Sequence, residues 1–215
     1  MCGRHLTAHS VVNEHSFMAR AAEISRPQTK RERILRAAIE VFAQNGYFNA
    51  KVSEIARAAG VADGTIYLYF DGKEDLLISI FRDYTRNYLQ SLERDLANVN
   101  RAEERMRIAI RHHLEALGRD RALAIVAQVE LRHSLKFMTL LSHQEIADYL
   151  NILRKIVENG QNEGAFRRNL NPQLAAKAVF GIVDEMVTSW MLSEKESNLA
   201  DQADGVADLV LNGLL

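Results

Sequence analysis

Residues 64–73 of the chain read GTIYLYFDGK. Thr65, Tyr67 and Tyr69 put three hydroxyls at alternate positions, and Lys73 follows with a cation. Hydroxyls and an ammonium donate hydrogen bonds that suit phosphate oxygens, and a tyrosine can also reach the edge of a base. That is the chemistry of contact with a polyanion, not of bond breaking. Other constellations are weaker. His112 and His113 are adjacent, so on a helix they point in different directions and cannot easily share a metal. Asp184-Glu185 stands in an apolar stretch, where one buried carboxylate paired to an Arg or His is favoured over acid–base catalysis. The chain carries no Gly-rich phosphate loop, no zinc-ligand spacing and no nucleophile–base arrangement. No catalytic residue, metal ligand or cofactor is assigned.

The elements that must hold those hydroxyls lie in KVSEIARAAGVADGTIYLYF, residues 51–70. Ser53 opens a short helix with Glu54 in its first turn, the helix stops at Gly60, and a second runs from about Gly64 to Phe70. Helix, glycine turn and steep second helix are the helix-turn-helix signature, and Gly60 supplies the positive φ that the turn requires. Ile55, Ala56, Ala59, Val61, Ile66 and Phe70 form the inner face. Ser53, Ala62, Asp63, Gly64, Thr65, Tyr67, Tyr69 and Lys73 remain outside. Gly64 allows close approach to DNA, and the helix N-terminus there offers backbone N–H groups. With Lys30 and Lys51 as phosphate partners, this is the predicted DNA-contact set. Asp63 is an acid where a base would be natural. Two roles are open for it: stabilising the helix N-terminus through the helix dipole, or accepting from cytosine N4.

The rest of the chain reads as helix. Thr29 caps TKRERILRAAIEVFAQNGY, and Leu77, Phe81, Tyr84, Tyr88, Leu92, Leu96 and Val99 stripe a long helix starting near Lys73. Helices follow in AEERMRIAIRHHLEALG, RALAIVAQVELRHSL and QEIADYLNILRKIVENG. Asn171 caps another, with Pro172 in the first helical position. LADQADGVADLVLNGLL ends the chain. The fold class is all-α, with about nine helices: an arm over residues 1–27 without regular pattern, a reader domain over 28–75, and a helical bundle over 76–215. Met18 is a candidate start, since periodicity begins only near Gln28. The 215 residues carry a formal net charge of -1, so nucleic-acid affinity must come from a local patch. Cys2 is the single cysteine, which fits a reducing cytosol, and no apolar run reaches the ~20 residues of a membrane helix.

GVADGTIYLYFDGKEDLL closely resembles the signature of the TetR family, a Gly-Thr/Ser-aliphatic-Tyr-x-Tyr/His-Phe helix before a Lys-Glu-Asp/Glu-Leu turn. LAIVAQVELRHS, YLNILRKIVENG and VFGIVDEMVTSWM resemble the ligand-binding half of its FadR-type repressors of fatty-acid degradation. The resemblance implies a cytoplasmic homodimer that represses from a pseudo-palindromic operator and is released by long-chain acyl-CoA. A rival reading is the same fold sensing another apolar or aromatic ligand, as in efflux regulation. A rival of another class is a helical enzyme acting on acyl-thioesters. A dimer would use apolar residues of the last two helices: Phe180, Val183, Val187, Met191, Val206, Val210 and Leu214. A larger single core is the alternative for the same residues. The pocket candidates are Phe81, Tyr84, Tyr88, Ile108, Leu114, Val126, Val129, Leu150, Leu153, Phe180 and Trp190, a stripe that plain core would also produce. Coenzyme A phosphates need cations, for which Arg111, Arg132 and Lys136 are candidates, with structural pairing, as of Arg132 with Glu130 or Asp184, as the other role.

Overall fold

The computed structural model describes residues 28–130, 145–194 and 197–214. Nine α-helices occur among them, with no strand. They are α1 (Lys30–Asn45), α2 (Val52–Ala59), α3 (Asp63–Ile66), α4 (Lys73–Leu96), α5 (Ala102–Gly118), α6 (Arg121–Ile125), α7 (Glu145–Glu163), α8 (Pro172–Leu192) and α9 (Ala203–Leu214). A π-helical turn, Val126–Glu130, continues α6, and a 3-10 turn, Leu199–Gln202, leads into α9. The described residues divide at Arg33/Ile34, those from Ile34 on forming one compact unit.

Several boundaries follow from local chemistry. Within the first unit, Thr29 Oγ1 accepts from the Glu32 N–H at 3.2 Å and Glu32 Oε2 accepts from the Thr29 N–H at 2.8 Å, a reciprocal capping box. Asn171 Oδ1 accepts from the N–H groups of Gln173 and Leu174 at 2.9 and 3.0 Å, ahead of Pro172. Ser53, expected to open α2, lies instead in its first turn. The cap is Lys51, whose N–H is met by Glu54 Oε2 at 3.0 Å. The carboxylate three residues on thus satisfies the cap residue's own N–H, the reciprocal half of a capping box. Gly60 takes φ 66° and its N–H and that of Val61 return to the end of α2, so the chain reverses there without Cβ strain. α3 is shorter than expected, and Tyr67, Leu68 and Tyr69 follow in turns. RALAIVAQVE, expected as one regular helix, switches to π geometry at Val126.

From Ile34 on there are two apolar clusters. One gathers Ile34, Ala38 and Phe42 of α1, Ile55 and Ala56 of α2, Ile66, Phe70, and Leu76, Leu77 and Ile80 of α4. Its members run past residue 75, and Val126 and Leu123 join it from the far side of the sequence. The other joins α4 from Tyr88 onwards to α5, α7, α8 and α9. The ion pairs Arg107–Asp208 (2.6 Å) and Arg111–Asp204 tie α5 to α9, and the Arg167 N–H bonds the Leu214 carbonyl at 2.9 Å.

Candidate DNA-contact face and interior polar site

On the α2–α3 unit, Ile55, Ala56, Ala59, Ile66 and Phe70 face inward as expected, while Val61 is half-buried. Lys51, Ala62, Asp63 and Gly64 are exposed, and Ser53 and Thr65 are half-buried. Tyr67 and Tyr69 are 60% and 42% exposed, and Leu68 between them is 80% exposed. Two phenols and a leucine thus stand side by side in water on this unit. A Cβ at Gly64 would meet nothing within 4 Å, so the start of α3 is open to approach. Asp63 occupies its first helical position, where a negative charge suits the helix dipole. Lys30 is exposed in the first turn of α1.

Lys73 has a second task. Its ammonium donates to the carbonyls of Phe48 and Ala50 at 3.0 and 3.1 Å and lies 4.7 Å from the centre of the Tyr47 ring. It fastens the start of α4 to the 46–50 turn, which leaves one ammonium proton for a phosphate.

The interior site lies where α4, α5, α7 and α8 meet. Tyr88, His113, Tyr149 and Phe180 form a continuous ring cluster. Tyr88 and Tyr149 meet edge to face at 5.3 Å, His113 stacks on Tyr149 at 5.5 Å, and Phe180 sits 6.0–6.2 Å from Tyr149 and His113. Tyr84 extends it 6.0 Å from Tyr88. Burial pushes the phenols of Tyr84, Tyr88 and Tyr149 above the usual tyrosine range. His113 is held down to about 4, first by burial and secondarily by the neighbouring His112, against the opposing pull of Asp184. It is therefore neutral at physiological pH.

Polar atoms in this cluster are incompletely met. The Tyr88 hydroxyl lies 3.5 Å from His113 Nδ1, and Gln128 Nε2 donates to Asp184 Oδ1 at 2.9 Å. His113 Nε2, Tyr149 Oη and Gln128 Oε1 are buried without a hydrogen-bond partner. Native interiors seldom leave such atoms unmet. The adjacent His112 points the other way, bonding Ser91 Oγ at 3.0 Å and Asp95 Oδ2 at 2.9 Å. Asp184 accepts from Gln128 and lies near enough to His113 to act on it, and Glu185 is exposed and accepts from Ser189. An open groove of about 400 Å³ beside the cluster is lined by Leu89, Glu93, Asp148, Asn151, Ile152, Arg154 and Lys155. Its charges balance, which does not select for an anion.

The α6 region joins the two sites. Val126 and Leu123 belong to the reader cluster, and two residues on Gln128 reaches the interior site. Asp120, which caps α6 by accepting from the Leu123 N–H at 3.0 Å, is also ion-paired with Arg36 of α1.

The N-terminal profile described as "Bacterial regulatory proteins, tetR family" matches residues 34–80, and "YsiA-like protein, C-terminal region" matches residues 81–213. The fatty acid metabolism regulator protein of Bacillus subtilis is 39% identical over 181 residues, covering 84% of this chain and 93% of that protein. The chain belongs to the TetR family of bacterial regulatory proteins. Two solved relatives share its fold. FadR of Bacillus subtilis in complex with stearoyl-CoA has a TM-score of 0.80 at 38% identity, covering 85% of this chain and 98% of that one. The fatty acid degradation regulator FadR of Bacillus halodurans has 0.79 at 39%, with the same coverage.

In this TetR-family chain the predicted pocket residues divide. Tyr84, Tyr88 and Phe180 line the ring cluster, and Leu114 and Leu153 are fully buried in the surrounding core. Ile108, Val129 and Leu150 are half-buried. Phe81 and Val126 turn to the reader cluster instead, because the stripe on α4 changes partners along its length. Arg111 is surface-exposed and committed to Asp204. Trp190 donates its indole N–H to the Ser197 carbonyl at 2.7 Å and lies under Arg121, at the end of α8. Arg132 and Lys136 lie outside the described residues.

Of the residues expected at a dimer interface, Val183, Val187, Met191, Val206, Val210 and Leu214 are buried within the single chain, and Phe180 faces the ring cluster. An apolar arc finds the side of a helix that packs first, which here is the single chain's own core. The outward stripe of α8 is Leu174, Ala178, Gly181, Glu185, Ser189 and Leu192, at steps of three and four, and Leu209 faces out from α9. Tyr149, His113 and Gln128 were not among the predicted site residues. Tyr149 and His113 do fall on apolar stripes of α7 and α5, a polar atom inside an apolar period being the signal that could have raised them.

Proposed function

We propose that this TetR-family regulator represses fatty-acid degradation genes from a pseudo-palindromic operator and leaves it when a long-chain acyl-CoA binds. The observation that carries this reading is the aromatic site enclosed by α4, α5, α7 and α8, with three unmet polar atoms, joined to the reader through Val126 and Gln128. An acyl chain supplies the apolar mass, and its thioester end supplies polar atoms. The likeness to FadR in complex with stearoyl-CoA supports the same ligand class. Tyr67, Tyr69, Thr65 and the start of α3 contact DNA, with Lys30 and Lys51 adding phosphate attraction, so residues 28–75 act as the reader and 76–215 as the effector half.

Two copies pair through the outward faces of α8 and α9. Leu174, Leu192 and Leu209 are 62%, 72% and 67% exposed in the single chain, an apolar exposure that pairing would remove. Two readers then address successive major grooves, about 34–36 Å apart or a multiple of it. Ligand binding displaces the π turn, and with it the packing of Val126 and Leu123 on the reader. The protein acts in the cytoplasm as a regulator, not as an enzyme. Among the described residues no helix is long and apolar enough to cross a membrane.

The test is fluorescence anisotropy on an operator duplex selected from a random pool, titrated with lauroyl-, palmitoyl- and oleoyl-CoA and with free coenzyme A. A long-chain acyl-CoA should lower DNA affinity about 5- to 150-fold. If none shifts the curve beyond free coenzyme A, the ligand class is wrong.

A further inference from the structure

Leu68 is 80% exposed, more than any other large apolar side chain among the described residues, and the backbone on both sides of it is fixed. Ile66 and Phe70, two residues away in each direction, are buried and anchor the segment in the reader cluster. The Leu68 N–H bonds the Thr65 carbonyl at 3.2 Å, and the N–H groups of Tyr69 and Phe70 bond the Ile66 carbonyl at 3.0 Å. Two residues along such a turn is roughly 200° of rotation, so Leu68 points away from the core that holds Ile66 and Phe70. Residues three and four apart share a face, which puts Leu68 with Thr65 and Gly64. A Cβ at Gly64 would meet nothing within 4 Å, so this is the open side of the unit. Tyr67 and Tyr69 carry hydroxyls that can bond phosphates or base edges. Leu68 carries neither donor nor acceptor. In the major groove each base presents hydrogen-bonding groups, and the 5-methyl group of thymine is the apolar exception.

We propose that Leu68 covers a thymine methyl in each half of the operator and so selects thymine at that position. The assignment rests on the DNA-contact reading above. Leu68 lies in the N-terminal TetR match of a DNA-binding regulator, and its face continues the one formed by Gly64 and Thr65. A cytosine in the same place would present a C–H where the methyl stands. A purine would present an N7 acceptor, which a leucine cannot meet.

Replacing thymine by deoxyuridine tests this, because it removes the methyl and keeps every hydrogen-bonding group of the pair. An operator duplex selected from a random pool by the wild-type protein is remade with uracil at each thymine in turn, symmetrically in both halves, and binding is read by fluorescence anisotropy. For the wild-type protein one position should cost about 4-fold per half-site, roughly 10- to 20-fold for the symmetric pair, as expected for a methyl group left uncovered. Leu68→Ala should weaken binding to the thymine operator by a similar factor and bind the thymine and uracil forms at that position alike, while its sensitivity at the other thymines is retained. Leu68→Met, which keeps an apolar end, should retain part of the ratio. A thymine-over-uracil ratio unchanged in Leu68→Ala at every position overturns the assignment while DNA binding stands. So does a wild-type protein indifferent to every uracil. Undiminished operator binding by Leu68→Ala with a changed mass by light scattering would put a second copy of the chain on the leucine and also overturns it. If the wild-type protein enriches no duplex from the pool, the DNA-contact reading and this assignment fall together.

Discussion

Removing the imidazole at position 113 should flatten the acid limb of the stability curve. In the unfolded chain a histidine titrates near 6.5, whereas His113 in the folded protein titrates at about 4. Above pH 6.5 the ring is neutral in both states and contributes no pH dependence. Between 6.5 and 4 the unfolded chain takes up a proton that the folded protein refuses, so stability falls as pH falls. Each unit is worth ~1.4 kcal/mol, so the loss is about 2 kcal/mol at pH 5 and about 3 kcal/mol once the folded pKa is reached. His113→Phe retains a ring to stack on Tyr149 and has no proton to bind. Urea unfolding followed by circular dichroism, for both proteins at several pH values from 7.5 to 4.5, isolates the effect as a difference between two curves. Carboxylate titrations common to both cancel in that difference. Parallel curves down to pH 4.5 would refute the buried, neutral histidine.

Gly160→Ala should destabilise by about 1–2 kcal/mol, because the added Cβ would stand 2.1 Å from the buried Phe166 ring, an overpacking cost only partly offset by better helix propensity; an unchanged urea midpoint would count against it. Tyr69→Ala should weaken binding to all DNA and lower the salt slope, whereas Tyr67→Ala should narrow the gap between operator and random duplex; identical losses for the two on both DNAs would contradict that division. Leu209→Asp should give folded monomers by light scattering, while Val210→Asp should fail to fold, since Val210 is 5% exposed and Leu209 is 67% exposed; a persistent Leu209→Asp dimer would remove α9 from the interface.

The elements were legible because their signals are local. Asn171-Pro172, Gly60 and the 3.6-residue stripes of α4 and α7 each depend on residues within one or two turns. The reader's outward set followed from the same stripes read in reverse, since what does not pack inward there must face out. The partners of each stripe were not legible. Phe81 and Tyr84 are neighbours on one helix, yet one packs on the reader cluster and the other on the ring cluster. Val126 and Gln128 diverge in the same way, because residues two apart point to opposite sides of a helix and each side finds a different neighbour. Hydrophobicity marks burial without saying against what, and Val183 and Val210 are taken up by the single chain's own core. The polar site was invisible for a related reason. A histidine, a tyrosine and a glutamine from three helices carry no sequence spacing that joins them.

The central claim is that the interior site and the DNA face are coupled, and linkage makes it measurable from the ligand side. Palmitoyl-CoA affinity should be determined by calorimetry for the protein alone and for the protein saturated with its selected operator duplex. The coupling requires operator DNA to weaken palmitoyl-CoA binding about 5- to 150-fold, by the same factor with which palmitoyl-CoA weakens operator binding. Equal ligand affinity with and without operator would contradict it.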